Sequence, residues 1–295
     1  MSSFKAKGII AAMVTPLTED QKIDKVAISR LLNYVIDRGV HGVFVISGAG
    51  EFASLTLQEK KDLLEATVCE VNGRIPIYAG AGAVTTREAV HITEIAEKIG
   101  ADVISVIAPY AISPSQDELY DHYTEIAKST NLPVILYNHP KRTGVNLSVD
   151  LVVKLAQVDN IVGIKDSSGD LALTIEYIRQ NGEDFSVLAG IDTLIFPSLV
   201  CGAQGSISST ANVAPELVVK IYESFMNGNY EAARQAQYEL IPLRRAFALG
   251  TFPAVLKEAL TMINIPVGPP MRSVKRLNQE NRRKLKQVLE RMNLL

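Results

Sequence analysis

Eight times along this chain a short apolar run gives way to a helix-length amphipathic segment, and that count constrains the fold more than any other feature. The runs cover residues 8–14, 42–46, 75–80, 102–108, 134–137, 161–165, 185–189 and 203–208. They are rich in β-branched and small residues and bounded by turn formers, as strands buried on both faces are. The segments between them carry helix signals. Residues 24–38 set Ile28, Leu31, Leu32, Tyr34, Val35 and Ile36 on one broad face. Thr56 with Glu59 has capping-box spacing, Thr85 with Glu88 and Ser115 with Glu118 open later helices the same way, and Pro215 suits a first helical turn. Eight strand–helix repeats predict an α/β fold, a (β/α)8 TIM barrel. A doubly wound sheet has fewer strands and a glycine-rich turn after the first; here Thr15-Pro16-Leu17-Thr18-Glu19-Asp20 follows instead. Residues 230–248, 253–263 and 278–292 read as three further helices. The expected layout is therefore a barrel with the active site over residues 1–227 and a C-terminal three-helix extension over 228–295, in one compact unit.

Bulk properties remove several function classes. With 295 residues, 47% hydrophobic and 21% charged, the chain has ample core for a globular protein. A formal net charge of −2 gives no footprint for nucleic acid or an anionic membrane. Partners are then small molecules or copies of the chain itself. The N-terminal residues lack the apolar core of a leader, and no apolar run is long enough to span a bilayer, so a cytoplasmic location is expected. Cys69 and Cys201 fit no disulfide or zinc spacing and read as reduced core residues. His41, His91, His122 and His139 are scattered, so no metal site is expected.

In a barrel of this kind the chemistry sits at the C-terminal ends of the strands. The sixth apolar run ends in Lys165, and lysine is rarely buried without a reason. The fifth ends in Tyr137-Asn138-His139-Pro140, which places a phenol beside that amine on the neighbouring strand. A lysine attacks a carbonyl only as the neutral amine; moving an ammonium from about 10.4 to about 7 shifts the balance by roughly 4–5 kcal/mol, which burial can supply. A phenol alongside can carry protons. Ser47-Gly48-Ala49-Gly50-Glu51 ends the second run and could offer backbone N–H groups to a carboxylate, or be only a tight turn. The fourth run ends in Pro109-Tyr110, the seventh in Gly190-Ile191-Asp192, and the eighth in Ser206-Ile207-Ser208-Ser209. His139 is the one histidine at a strand end, a substrate contact or a structural residue. Glycines near the seventh and eighth ends raise a phosphate site, but no basic residue lies near them in sequence.

Three motifs resemble those of one family. Residues 137–144, Tyr-Asn-His-Pro-Lys-Arg-Thr-Gly, resemble its Tyr-Asn-x-Pro-x-x-Thr-Gly motif; residues 163–170, Gly-Ile-Lys-Asp-Ser-Ser-Gly-Asp, resemble its Schiff-base lysine motif; residues 47–51 resemble its Gly-x-x-Gly-Glu loop. This is the dihydrodipicolinate synthase / N-acetylneuraminate lyase family of class I, pyruvate-dependent aldolases, and the likeness spans essentially the whole chain. It implies a lyase in which Lys165 forms an imine with pyruvate and Tyr137 carries protons, with no metal or organic cofactor. It implies that the loop at Ser47, Gly48 and Ala49 holds the pyruvate carboxylate, and that Gly190 and Ile207 line the pocket. It also implies a homotetramer built from two dimers.

The resemblance divides over the acceptor. The synthase has two threonines where this chain has Gly48 and Ala49, one of them relaying protons between two tyrosines. Its second tyrosine follows a Pro-Tyr pair and reaches across a dimer interface; here Tyr110 is followed by Ala111. The Ser-Gly-Ala-Gly-Glu-Phe form instead resembles aldolases for 2-keto-3-deoxy sugar acids. Arg142 favours the synthase, where an arginine there receives the carboxylate of aspartate semialdehyde. The first expectation is thus a sugar-acid aldolase. The alternative is the lysine-pathway synthase condensing pyruvate with aspartate semialdehyde, and a third reading is a catalytically silent ligand-binding relative.

Overall fold

The computed structural model describes residues 4–182 and 184–295; the first three residues of the segment inspected for a leader lie outside them. Eight parallel strands form a closed barrel in sequence order: β1 (Gly8–Ala12), β2 (Gly42–Val45), β3 (Ile77–Gly80), β4 (Val103–Ile107), β5 (Val134–Asn138), β6 (Ile161–Asp166), β7 (Ser186–Ala189) and β8 (Gly205–Ser208). Most are a residue or two shorter than the apolar runs that predict them, because the runs continue into buried loop. β5 and β6 are one residue longer. Asn138 and Asp166 stay in the ladder as a registered pair, and their polarity had hidden them.

The barrel closes where β8 pairs with β1, Gly205 opposite Gly8. Asn212 reinforces that seam: its amide donates to the Ala12 carbonyl (2.8 Å) and its Oδ1 accepts from Val14 N–H (3.1 Å). The helices follow their caps. Full capping boxes form at Thr56/Glu59 and Ser115/Glu118, while Thr85 accepts from Glu88 N–H without the reciprocal bond. The helix Val149–Leu155 after β5 is capped by Ser148, not by Asn146 three residues before its start. Asn146 instead accepts from the Asn138 amide at 2.7 Å, tying the loop to the end of β5.

Beyond the barrel run the helices Tyr230–Ala246, Ala254–Met262 and Gln279–Arg291. The middle one is buried along most of its length. Among the described residues no helix is long and apolar enough to cross a membrane. Both cysteines are free thiols, but the core placement expected for them is wrong. Cys69 is exposed, because Lys60, Leu63, Leu64, Thr67 and Val71 are the buried residues of its helix. Cys201 lies part-buried at the end of the short helix Ile195–Val200.

His122 gives the fold a pH sensitivity. Its Nδ1 pairs with Thr86 Oγ1 at 2.9 Å, its Nε2 has no partner among the described residues, and burial pushes it down to about 4. A histidine depressed when folded contributes stability that is complete above its unfolded value of about 6.5 and disappears as pH falls toward 4. The size is on the order of 2–3 kcal/mol. Urea unfolding should therefore show stability falling across this window, and His122→Phe should flatten the fall. An unchanged slope in the variant would contradict the assignment.

Candidate active site

The parallel register sets Tyr137 opposite Lys165 and, one step on, Asn138 opposite Asp166. Successive strand residues face opposite ways, so the first pair points into the barrel and the second toward the helices. The outward pair is fully engaged. The Asp166 carboxylate accepts from Asn138 Nδ2 (3.0 Å), Ser168 N–H (3.0 Å), Ser168 Oγ (2.9 Å) and Thr174 Oγ1 (2.7 Å). Asn138 Oδ1 accepts from Leu147 N–H, whose carbonyl takes the Tyr177 hydroxyl. This network locks the ends of β5 and β6 together immediately behind the inward pair.

Inside the barrel, Lys165 is 4% exposed. Its Nζ lies 4.1 Å from the Tyr137 ring centroid and 5.2 Å from that of Phe44. Neither the amine nor the Tyr137 hydroxyl has a hydrogen-bond partner among the described residues. Both line a cavity of about 550 Å³ that opens at the C-terminal ends of the strands.

The same cavity is lined by Gly48, Ala49, His139, Arg142, Gly190 and Ile207. The glycine loop is held from behind. Ser47 Oγ accepts from Gly50 N–H (3.2 Å) and sits 3.4 Å from the Met13 carbonyl; Thr15 Oγ1 donates to the Gly50 carbonyl at 2.6 Å. Glu51, in a left-handed conformation (φ 58°), is buried against Lys257 at 2.6 Å and accepts from Met271 N–H at 2.6 Å. Burial pulls the Lys257 ammonium downward, and Glu51 opposes the pull. With the loop so pinned, the N–H groups of Gly48 and Ala49 are left without acceptors among the described residues. A Cβ built at Gly48 would meet nothing nearer than the Tyr137 hydroxyl at 3.9 Å, whereas one at Gly190 would strike Ser167 Oγ at 2.0 Å.

Two expected site residues lie elsewhere. The Ser47 hydroxyl is consumed inside its own loop and does not line the main cavity. Tyr110 packs edge-on against Phe52, ring centroids 5.5 Å apart, also outside it. His139 lines the cavity with its ring 5.9 Å from that of Tyr137, and its Nδ1 is buried without a partner. Burial first, then Arg142 and Lys165, hold it down to about 4, so it stands neutral at pH 7.

The cavity also contains residues to which the sequence assigned no role: Ser167, Asp192, Ser209, Arg244, Phe247 and Phe252. Asp192 is 2% exposed, accepts from Ser209 Oγ at 3.0 Å, and lies 3.8 Å from Arg244 Nε. The basic residue missing near the seventh strand end in sequence is thus delivered by the C-terminal helix Tyr230–Ala246. Among the described residues no group of His, Cys, Asp and Glu is placed to hold a metal ion.

The sequence model of the Dihydrodipicolinate synthetase family matches residues 5–292. The 4-hydroxy-tetrahydrodipicolinate synthase of Methanopyrus kandleri is 39% identical over 99% of this chain and 98% of its own length. That of Archaeoglobus fulgidus is 38% identical over 98% and 99%. The crystal structure of YagE, an E. coli K12 prophage protein of the dihydrodipicolinic acid synthase family in complex with pyruvate, is 32% identical. It superimposes with a TM-score of 0.96 over 98% of this chain and 99% of that one. With a barrel of that topology and a match from end to end, the chain belongs to the dihydrodipicolinate synthetase family of lyases.

Proposed function

We propose that this enzyme forms a Schiff base between Lys165 and pyruvate and joins the resulting enamine to aspartate semialdehyde, the reaction of a 4-hydroxy-tetrahydrodipicolinate synthase. One observation carries it: the amine of Lys165, a residue 4% exposed, lies on the floor of a cavity whose walls hold a phenol and two amide N–H groups, all without partners among the described residues. The amine attacks the ketone carbon of pyruvate, and the carbinolamine oxygen leaves as water, protonated through Tyr137. Loss of a methyl proton gives the enamine, whose carbon attacks the aldehyde carbon. The new alkoxide takes up a proton; the acceptor's own amine, or water for an acceptor that has none, then adds to the iminium carbon and expels the Lys165 amine. The Gly48 and Ala49 N–H groups hold the pyruvate carboxylate. Gly190 and Ile207 close its pocket, neutral His139 borders it, and Arg142 takes the carboxylate of the acceptor. No organic or metal cofactor enters these steps. Family membership supports a cytoplasmic homotetramer of two dimers.

The curated relatives, named as synthases at 38–39% identity, favour aspartate semialdehyde over the sugar-acid substrate expected from the glycine loop. One feature keeps the second substrate class open. There is room at Gly48 for a side chain, yet none is present, so the Tyr137 hydroxyl lacks the threonine partner that the synthase resemblance implies. Ser167, Ser209 and Asp192 could instead receive the hydroxyls of a sugar-derived chain.

Incubation with pyruvate and borohydride should leave a reduced adduct on Lys165, read by peptide mass spectrometry. An adduct elsewhere, or none, would refute the Schiff-base mechanism. Turnover with aspartate semialdehyde should exceed that with sugar-derived aldehydes, and the reverse order would establish the second class.

A further inference from the structure

We infer that Arg244, carried by the C-terminal helix and not by the barrel, is a specificity-determining residue that joins Arg142 in holding the carboxylate of an anionic aldehyde at the cavity mouth. This rests on the pyruvate reading above and extends it to the acceptor. The two guanidinium groups are presented alike. Arg142 Cζ lies 5.6 Å from the Phe252 ring centroid, Arg244 Cζ lies 4.9 Å from that of Phe247, and the two rings are 5.6 Å apart. An aromatic face steadies a planar guanidinium and leaves its N–H edge free for a planar anion.

Neither arginine side chain donates a hydrogen bond within the described residues. The acid nearest Arg244 is Asp192, whose Oδ2 stands 3.8 Å from Nε, beyond hydrogen-bond reach, and already accepts from Ser209. Lys141, Arg142, Lys165 and Arg244 line the cavity against this single acid. One pyruvate carboxylate leaves the excess positive charge in place. That excess lies outward: the Arg244 side chain is 33% exposed and Arg142 is exposed, while Lys165 on the floor is buried. An acceptor entering after pyruvate meets this positive rim first, and its charged end stays there while its aldehyde reaches the enamine.

The test uses the full-length enzyme, pyruvate, and two acceptors differing in charge, succinate semialdehyde and its primary amide. Arg244→Met should lower kcat/KM for the carboxylate about 10- to 100-fold, through the acceptor KM, and leave the amide nearly unchanged. Arg244→Lys should recover part of the loss. Borohydride trapping at Lys165 and the KM for pyruvate should not move. In Arg142→Met/Arg244→Met the loss should be smaller than the product of the single losses, since both groups act on one carboxylate. Equal losses on both acceptors, a raised pyruvate KM, or fully multiplicative losses would overturn the inference. Absence of a trapped adduct in the unaltered enzyme would strike the Schiff-base mechanism itself, so the two failures are distinguishable.

Discussion

Lys165→Ala should remain folded, give no borohydride-reducible adduct with pyruvate, and turn over at least about 10⁴-fold more slowly. The fold should survive because the amine makes no hydrogen bond or ion pair among the described residues; its neighbours are the rings of Tyr137 and Phe44. Asn138, Asp166 and Thr174 hold the strand end without it. The chemistry should not survive, since no other amine lies at the floor of the cavity: Lys141 is exposed near the rim. Lys165→Arg is the sharper control. It keeps a long side chain against Tyr137, but a guanidinium stays protonated and forms no imine. Residual trapping in either variant, mapped to another lysine, would show the nucleophile to be misassigned.

Lys257→Met should cost about 3–5 kcal/mol of stability and raise the KM for pyruvate. Lys257 is 1% exposed and Glu51 6%, so removing the ammonium strands a carboxylate that water cannot reach. The Met271 N–H is then its remaining donor. Glu51 also ends the glycine loop, so a displaced carboxylate would carry Gly48 and Ala49 with it. The double variant Glu51→Gln/Lys257→Met separates the two effects. It removes the buried charge and should regain most of the stability, while the loop, no longer latched, should still bind pyruvate weakly. Urea denaturation with steady-state kinetics would decide it. A single variant as stable as the parent would show that Glu51 protonates or finds water instead.

The barrel and the inner half of the site were legible because both are written locally. Each repeat carries its own strand, cap and turn, and Lys165, Tyr137 and the glycine loop each end a strand, so the topology alone brings them together. The outer half is written at a distance. Arg244 and Phe247 belong to a helix and the turn after it, about 80 residues beyond Lys165, where a basic residue near a helix end is ordinary capping composition. Nothing in the local pattern says which way that helix end faces. Ser47 was misplaced for a different reason: a serine in a tight turn can as readily bond its own backbone as face a ligand, and here it does the former. Tyr110 stands at a strand end, but its ring finds the Phe52 edge, a contact no spacing rule foretells.

The seam between β1 and β8 bears on how the protein comes into being. β1 leaves the ribosome about 200 residues ahead of its second hydrogen-bonding partner, residues 205–208, and of the Asn212 clasp. At 5–20 residues per second that is an interval of roughly 10–40 seconds. Throughout it the flank of β1 that will meet β8 has no permanent mate, and an unmated strand flank is a template for pairing with another chain. The closure that gives the finished barrel no edge is therefore out of reach until the eighth strand has emerged. Until then the nascent chain carries one strand edge open to its neighbours.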